Sequence, residues 1–339
     1  MAAAGRIFGP EWRRYSDPAT DFEVIRLTDS AFSSGFTAPS LRQFTRRGEL
    51  LYWSDRTGSH QPFLMNLHTG ESRQVAEVTA LDPRSLCLAQ DDRGLIFLDG
   101  DTLRYGSLVS AHTRELYTLR AGASVSALTM GSGEAIFLAE YLNGRTRIVA
   151  AGRGATRVIR EFPVEIKAVM ARPRHSQLLY RAEERVSVMN FDGNGGRDLR
   201  LAPGRTGEAA WIPSGRTLVY LHVPENAREL VTLREYAPDE TSDKLIARTS
   251  QFVSVAPNLD ASVFVGASRS KASAYVLLLV RAVRRELALC EHHASDPAMV
   301  APVFSPDSQS VFFVSDRHGK PALYRVHVER FVEQTDEGQ

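Results

Sequence analysis

Phe304-Ser-Pro-Asp307, followed closely by Val311-Phe-Phe-Val314, is the stretch on which the reading of this chain turns. Pro and Asp in so short a polar segment set a tight turn. The apolar run behind it is too short for a helix of ordinary length and reads as a buried strand. The same arrangement recurs as Phe44-Thr-Arg-Arg-Gly48 before Leu50-Leu-Tyr-Trp53, and as Trp211-Ile-Pro-Ser-Gly215 before Leu218-Val-Tyr220. Weaker copies begin at Leu88, Leu128, Ala171 and Val255, so the starts fall at residues 44, 88, 128, 171, 211, 255 and 304. Successive starts are therefore 44, 40, 43, 40, 44 and 49 residues apart, the length of one four-stranded propeller blade. The expectation is an all-β chain: a seven-bladed β-propeller of four-stranded blades.

Further turns inside each unit support this. In the first, Ser54-Asp-Arg-Thr-Gly58 leads into Pro62 to Leu67, and His68-Thr-Gly70 into Ser72 to Ala76. In the fourth, Val186 to Asn190 and Arg197 to Leu201 flank Asp192-Gly-Asn-Gly-Gly196. Short strands bounded by Gly, Asn and Asp are hairpin chemistry. Arg281 to His293 is the best helical candidate but reads equally as two strands around Arg284. The seventh unit has a third strand ending near Val328 and no fourth, and Asp21 to Thr28 is the strand available to complete it, leaving no open sheet edge. Because the second and third units match the repeat least well, six blades with a degenerate insertion is the alternative. The organisation expected is an N-terminal extension over 1–19, one propeller over 20–332 and a disordered tail over 333–339.

Composition narrows the class. With 339 residues, 43% hydrophobic and 24% charged, there is material for a large core. A net charge of +1 gives no global footprint for nucleic acid or an anionic membrane. The basic side chains are 37 Arg and four Lys; Arg suits carboxylate recognition, and codon bias gives the same excess. Two cysteines make neither a disulfide framework nor a Cys-based zinc site. The start lacks a signal-peptide core, and the longest apolar run, Ala274 to Val280, is short of a membrane span. A cytoplasmic protein without nucleic-acid or membrane partners is expected.

Two families show in the motifs. The unit running from Phe304-Ser-Pro-Asp307 through Ser315-Asp-Arg-His-Gly319 to Tyr324 looks like the repeat of TolB-type propellers. Tyr15-Ser-Asp-Pro18, Val24-Ile-Arg-Leu-Thr28, Phe44-Thr-Arg-Arg-Gly48 and Leu64 to Gly70 together resemble the opening of oligogalacturonate lyases. The likeness continues through Val188 to Gly193, Gly207 to Pro213 and Ala301 to Pro306. It implies a seven-bladed propeller that cleaves short pectin fragments by β-elimination with bound manganese. Such chemistry needs a base for the proton beside the carboxylate and a cation for the enediolate that forms. The resemblance places the base at Glu208, where the family has His, and metal ligands at Gln251, Asp296, Met299 and Ala301, where it has His and Gln. Arg185 matches an arginine that contacts substrate, and Arg181 is a second substrate-binding candidate.

No imidazole remains at those positions, and Gln251 with Asp296 makes a weak manganese site. The expectation is therefore a lyase-like propeller with a degenerate metal site and no cofactor. It would bind an oligogalacturonide, another acidic sugar or a protein partner without catalysis. An active, manganese-dependent oligogalacturonate lyase is the alternative, and a pure interaction scaffold the second. Arg185 could instead pair with Glu183 or Glu184. His222 reads as a satisfied strand histidine, and His292 and His293, as strand neighbours, point to opposite faces. No Gly-x-Ser-x-Gly elbow, Walker loop or dinucleotide fingerprint occurs. The clusters Arg42/Arg46/Arg47 and Arg281/Arg284/Arg285 read as solvated strand faces.

Overall fold

The computed structural model describes residues 5–328 apart from 111, 153–155, 227, 250 and 271. The tail expected over 333–339 lies outside the described residues. The described strands form seven antiparallel sheets, the seven blades of a β-propeller. Among the described residues helix is confined to a single α-helical turn at Pro297–Val300 and a 3-10 turn at Ser132–Glu134. Among the described residues no helix is long and apolar enough to cross a membrane.

The chain divides into two compact units, one of Met1–Pro10 with Ser33–Arg200 and one of Glu11–Phe32 with Leu201–Gln339. In the first unit four sheets follow one another. The first blade carries five strands, because Ile7–Phe8 pairs with Ser72–Gln74 outside the hairpin of Glu49–Ser54 and Gln61–Asn66. The second and third blades, whose repeats are weakest in sequence, are complete four-stranded sheets, which removes the six-blade alternative. Their second strands, Gly94–Asp99 and Ile136–Leu142, are buried on both faces along most of their length, since each of these blades packs against two neighbours. Leu98 and Leu103 of the second blade meet Leu138 and Val149 of the third, while Phe137 and Ile148 turn to Ile166 and Tyr180 of the fourth. A fully buried side chain of this kind contributes about 1.5–3 kcal/mol.

The second unit holds the fifth, sixth and seventh blades. Val219 and Leu233 pack against Phe264 and Leu279, and Val265 and Leu278 against Phe313 and Tyr324. The ambiguous stretch after Arg281 resolves into strands: Tyr275–Val280 turns through Arg284, at φ 52°, into Arg285–Glu291. The seventh blade is completed from the N-terminus. Glu23–Arg26 pairs with Ala322–His327 in the register Val24 to Val326 and Arg26 to Tyr324, and Arg13–Ser16 adds a fifth strand outside it. Two blades thus exceed the four strands expected, both through N-terminal segments.

The repeated turn connects the first strand of each blade to the second. Each copy has one residue in the left-handed region: Gly48, Asp92, Gly133, Arg174, Gly215, Ala261 and Ser308, with φ between 58° and 77°. Three are glycines, free of the steric cost; the other four carry it. Polar side chains help hold the turn, as where Asp307 Oδ1 accepts from the Gln309 amide at 3.0 Å and Asn258 Oδ1 from the Val263 amide at 3.1 Å.

Candidate functional site

Arg185 opens the third strand of the fourth blade, directly after the hairpin turn at Glu183, whose φ is 52°. It is exposed and, among the described residues, pairs with neither Glu183 nor Glu184, so its guanidinium is open to an external anion. Arg181 sits half-buried opposite Val186, one position off the Ala182–Arg185 pair. Pleating therefore sends the two arginines to opposite faces of the hairpin end.

Glu208 lies on the first strand of the fifth blade, Arg205–Trp211, where the register slips between Thr206 and Ala209. The bulge leaves the carboxylate side chain exposed. His222, opposite Thr206, is buried with both ring nitrogens engaged, at 2.7 Å from the Pro203 carbonyl and 3.2 Å from Thr232 Oγ1. It is a satisfied strand histidine.

The positions that the resemblance offers to manganese can be tested in the same unit. Gln251 Oε1 accepts from Ser268 Oγ at 2.6 Å, and the Ser268 carbonyl lies 3.1 Å from His292 Nε2. His292 Nδ1 accepts from the Ala294 amide at 3.0 Å, which makes Nε2 the donor, and burial pushes the imidazole below its ordinary value of 6.5. His293, left-handed at φ 47°, turns outward to Glu291 at 2.9 Å. Asp296 caps the turn Pro297–Val300, one carboxylate oxygen accepting from the Ala298 amide at 2.9 Å. Met299 and Ala301 follow, presenting a thioether and a methyl group where a hard cation asks for nitrogen or oxygen. Among the described residues no three His, Cys, Asp or Glu side chains form a metal-holding group. The residues here do not fit manganese.

Sequence reading passed over a cluster in the first unit. Glu140, its side chain fully buried in the third blade, accepts from Tyr117 Oη at 2.5 Å, from Arg147 Nε at 2.8 Å and from Arg120 Nε. Burial raises the carboxyl pKa, but the hydrogen bonds from Tyr117, Arg147 and Arg120 outweigh it and hold the group below the usual carboxylate range. The signal was an acidic residue inside the otherwise apolar strand Ile136–Leu142.

No family model and no curated protein matches this chain. Solved structures do. An oligogalacturonate lyase in complex with manganese superposes with a TM-score of 0.90 at 20% identity, over 96% of this chain and 98% of that one. An oligogalacturonate lyase from Vibrio parahaemolyticus gives 0.89 at 19% identity, over 96% and 99%. A virginiamycin B lyase from Staphylococcus aureus gives 0.61 at 9% identity, over 95% and 100%. The chain has the fold of the oligogalacturonate lyases, and these likenesses establish that fold.

Proposed function

We propose that this chain recognises short uronate-bearing oligosaccharides without a bound manganese ion. The observation that carries the reading is the chemistry at the positions of the resemblance. Glu208, Gln251, Asp296, Met299 and Ala301 offer no imidazole, and Gln251 and Asp296 each commit an oxygen to an internal hydrogen bond. The uronate class is supported by the fold likeness to proteins named for oligogalacturonate and by the exposed Arg185, which pairs with no carboxylate among the described residues.

A second reading is elimination itself, and the fold likeness taken alone favours it. There Glu208, exposed on its bulge, removes the proton beside the uronate carboxylate. The C–O bond β to that carboxylate then breaks, the departing oxygen takes a proton from solvent, and a C=C bond remains. Against it stands the Coulomb repulsion between the Glu208 carboxylate and the substrate carboxylate.

Purified protein is incubated with unsaturated digalacturonate, with and without Mn²⁺, and product formation and calorimetric binding are followed in wild type and Arg185→Ala. Binding that depends on Arg185, with no turnover, is the expected result. Manganese-dependent turnover overturns the metal-free reading, and turnover lost in Glu208→Gln establishes elimination.

A further inference from the structure

The third blade ends in a charged cavity that the reading above does not use. Its strands Ile136–Leu142 and Arg145–Ala151 are joined through Asn143 and Gly144, both left-handed, as a tight hairpin requires. The register pairs Leu142 with Arg145, Glu140 with Arg147 and Arg147 with Glu161. Alternation therefore puts Glu140, Leu142, Arg145, Arg147 and Glu161 on one face. Further down, that face packs Leu138 and Val149 against the second blade; at the hairpin end the second blade offers Tyr117, and the segment after it Arg120. A cavity of about 200 Å³ opens there, lined by Arg120, Leu142, Arg145, Arg147 and Glu161 among others.

Three guanidinium groups face two carboxylates. Glu140 is committed to Arg120 and Arg147. Arg120 gives it only Nε, and Arg147 uses Nε and Nη2, so the remaining terminal nitrogens of both have no partner among the described residues. Arg145, exposed at the mouth, has none at all there. A buried carboxylate that fixes two arginine planes, with donors left over, is preorganised for a second carboxylate. The volume is that of about seven waters at ~30 Å³ each, enough for one small ring. Leu142 gives that ring an apolar wall. Glu161 accepts from hydroxyls and disfavours a doubly charged anion.

We propose that this cavity binds the carboxylate of a single sugar-acid ring, with Arg145 as the contacting guanidinium and Glu140 as the residue that positions Arg120 and Arg147. The sugar-acid class rests on the function proposed above; the site is separate from Arg185.

Calorimetry on the full chain tests it with D-galacturonate, D-galactose and inorganic phosphate. Galacturonate is expected to bind and galactose not. Arg145→Ala should weaken galacturonate by about tenfold or more at an unchanged melting temperature. Glu161→Gln should tighten it several-fold, a gain that a merely structural role does not produce. Galactose binding as well as galacturonate, phosphate binding more tightly than either, or indifference to both Arg145→Ala and Glu161→Gln overturns the proposal. Digalacturonate binding that needs Arg185, with no galacturonate binding, overturns this cavity alone. Galacturonate binding that needs Arg145, with digalacturonate indifferent to Arg185, leaves the cavity standing and removes the function proposed for Arg185.

Discussion

The hairpin end of the third blade and the segment around Pro297–Val300 are both crowded with polar groups, and they differ in what is left over. Around Pro297–Val300 the groups answer one another: Gln251 to Ser268, Ser268 to His292, His292 to Ala294, Ser315 to the His292 carbonyl, and Ser295 to Asp316. At the third blade Glu140 is saturated by donors from three residues while terminal guanidinium nitrogens of Arg120, Arg147 and Arg145 remain without partners among the described residues. Polar density alone does not mark a binding site. A buried group that orders its neighbours and leaves donors surplus does.

The largest effect expected from breaking this contrast is Glu140→Ala. Removing the buried partner of two arginines should cost about 3–5 kcal/mol in urea unfolding. A loss under about 1 kcal/mol would mean that the cluster is solvated and the contrast false. At the other region, His292→Phe strips the Ser268 carbonyl and the Ala294 amide of their partner and should cost about 1–3 kcal/mol, read from the same unfolding curves.

Acid separates the two regions by pH. His292 is held below its ordinary 6.5 in the fold, so the unfolded chain takes up a proton that the folded chain refuses. Its contribution is present above pH 6.5 and fades as pH falls from there. Glu140 is held below its ordinary 4.5, so its contribution is present above pH 4.5 and is lost as pH falls through the folded value. Amide exchange followed by mass spectrometry on stepping down from pH 7 should therefore show Ala294 opening before the strands that carry Tyr117 and Glu140. The reverse order would refute the assignment.

Smaller effects come from the repeated turns. Ala261→Gly and Asp92→Gly relieve a left-handed conformation and should change stability by no more than about 1 kcal/mol, toward stabilisation. Ala261→Gly is the cleaner test, because Asp92 also accepts from the Arg46 amide and pairs with Arg42. The smallest expected response is to Mn²⁺: thermal melting should not move on adding it or a chelator. A saturable rise in melting temperature would show that the region around Gln251 and Asp296 holds the ion after all.

The blades were legible because their turn recurs with Pro, Asp, Ser or Gly at nearly fixed spacing and their second strands are apolar on both faces. Even so, glycine announced the left-handed position only at Gly48, Gly133 and Gly215; Arg174 and Ala261 fill the same position without any residue-level sign. The N-terminal strand was legible by subtraction, from a seventh repeat one strand short. The cluster at Glu140 was not legible, because Tyr117, Arg120 and Arg147 come to it from two blades and each reads in sequence as one more arginine or strand aromatic. Gln251 and Asp296 drew attention through the resemblance, and only the hydrogen bonds of their own loops show what occupies them.

The pairing of Glu23–Arg26 with Ala322–His327 has a consequence for how the molecule is made. Thr28 accepts from the Leu323 amide across 295 positions of chain. At about 5–20 residues per second of translation, the early strand waits roughly 15–60 s on the ribosome before its mate emerges. For that interval its hydrogen-bonding edge is open to any other nascent strand, so the step most exposed to chaperones, and most prone to misassembly, is the final stitching of the seventh blade.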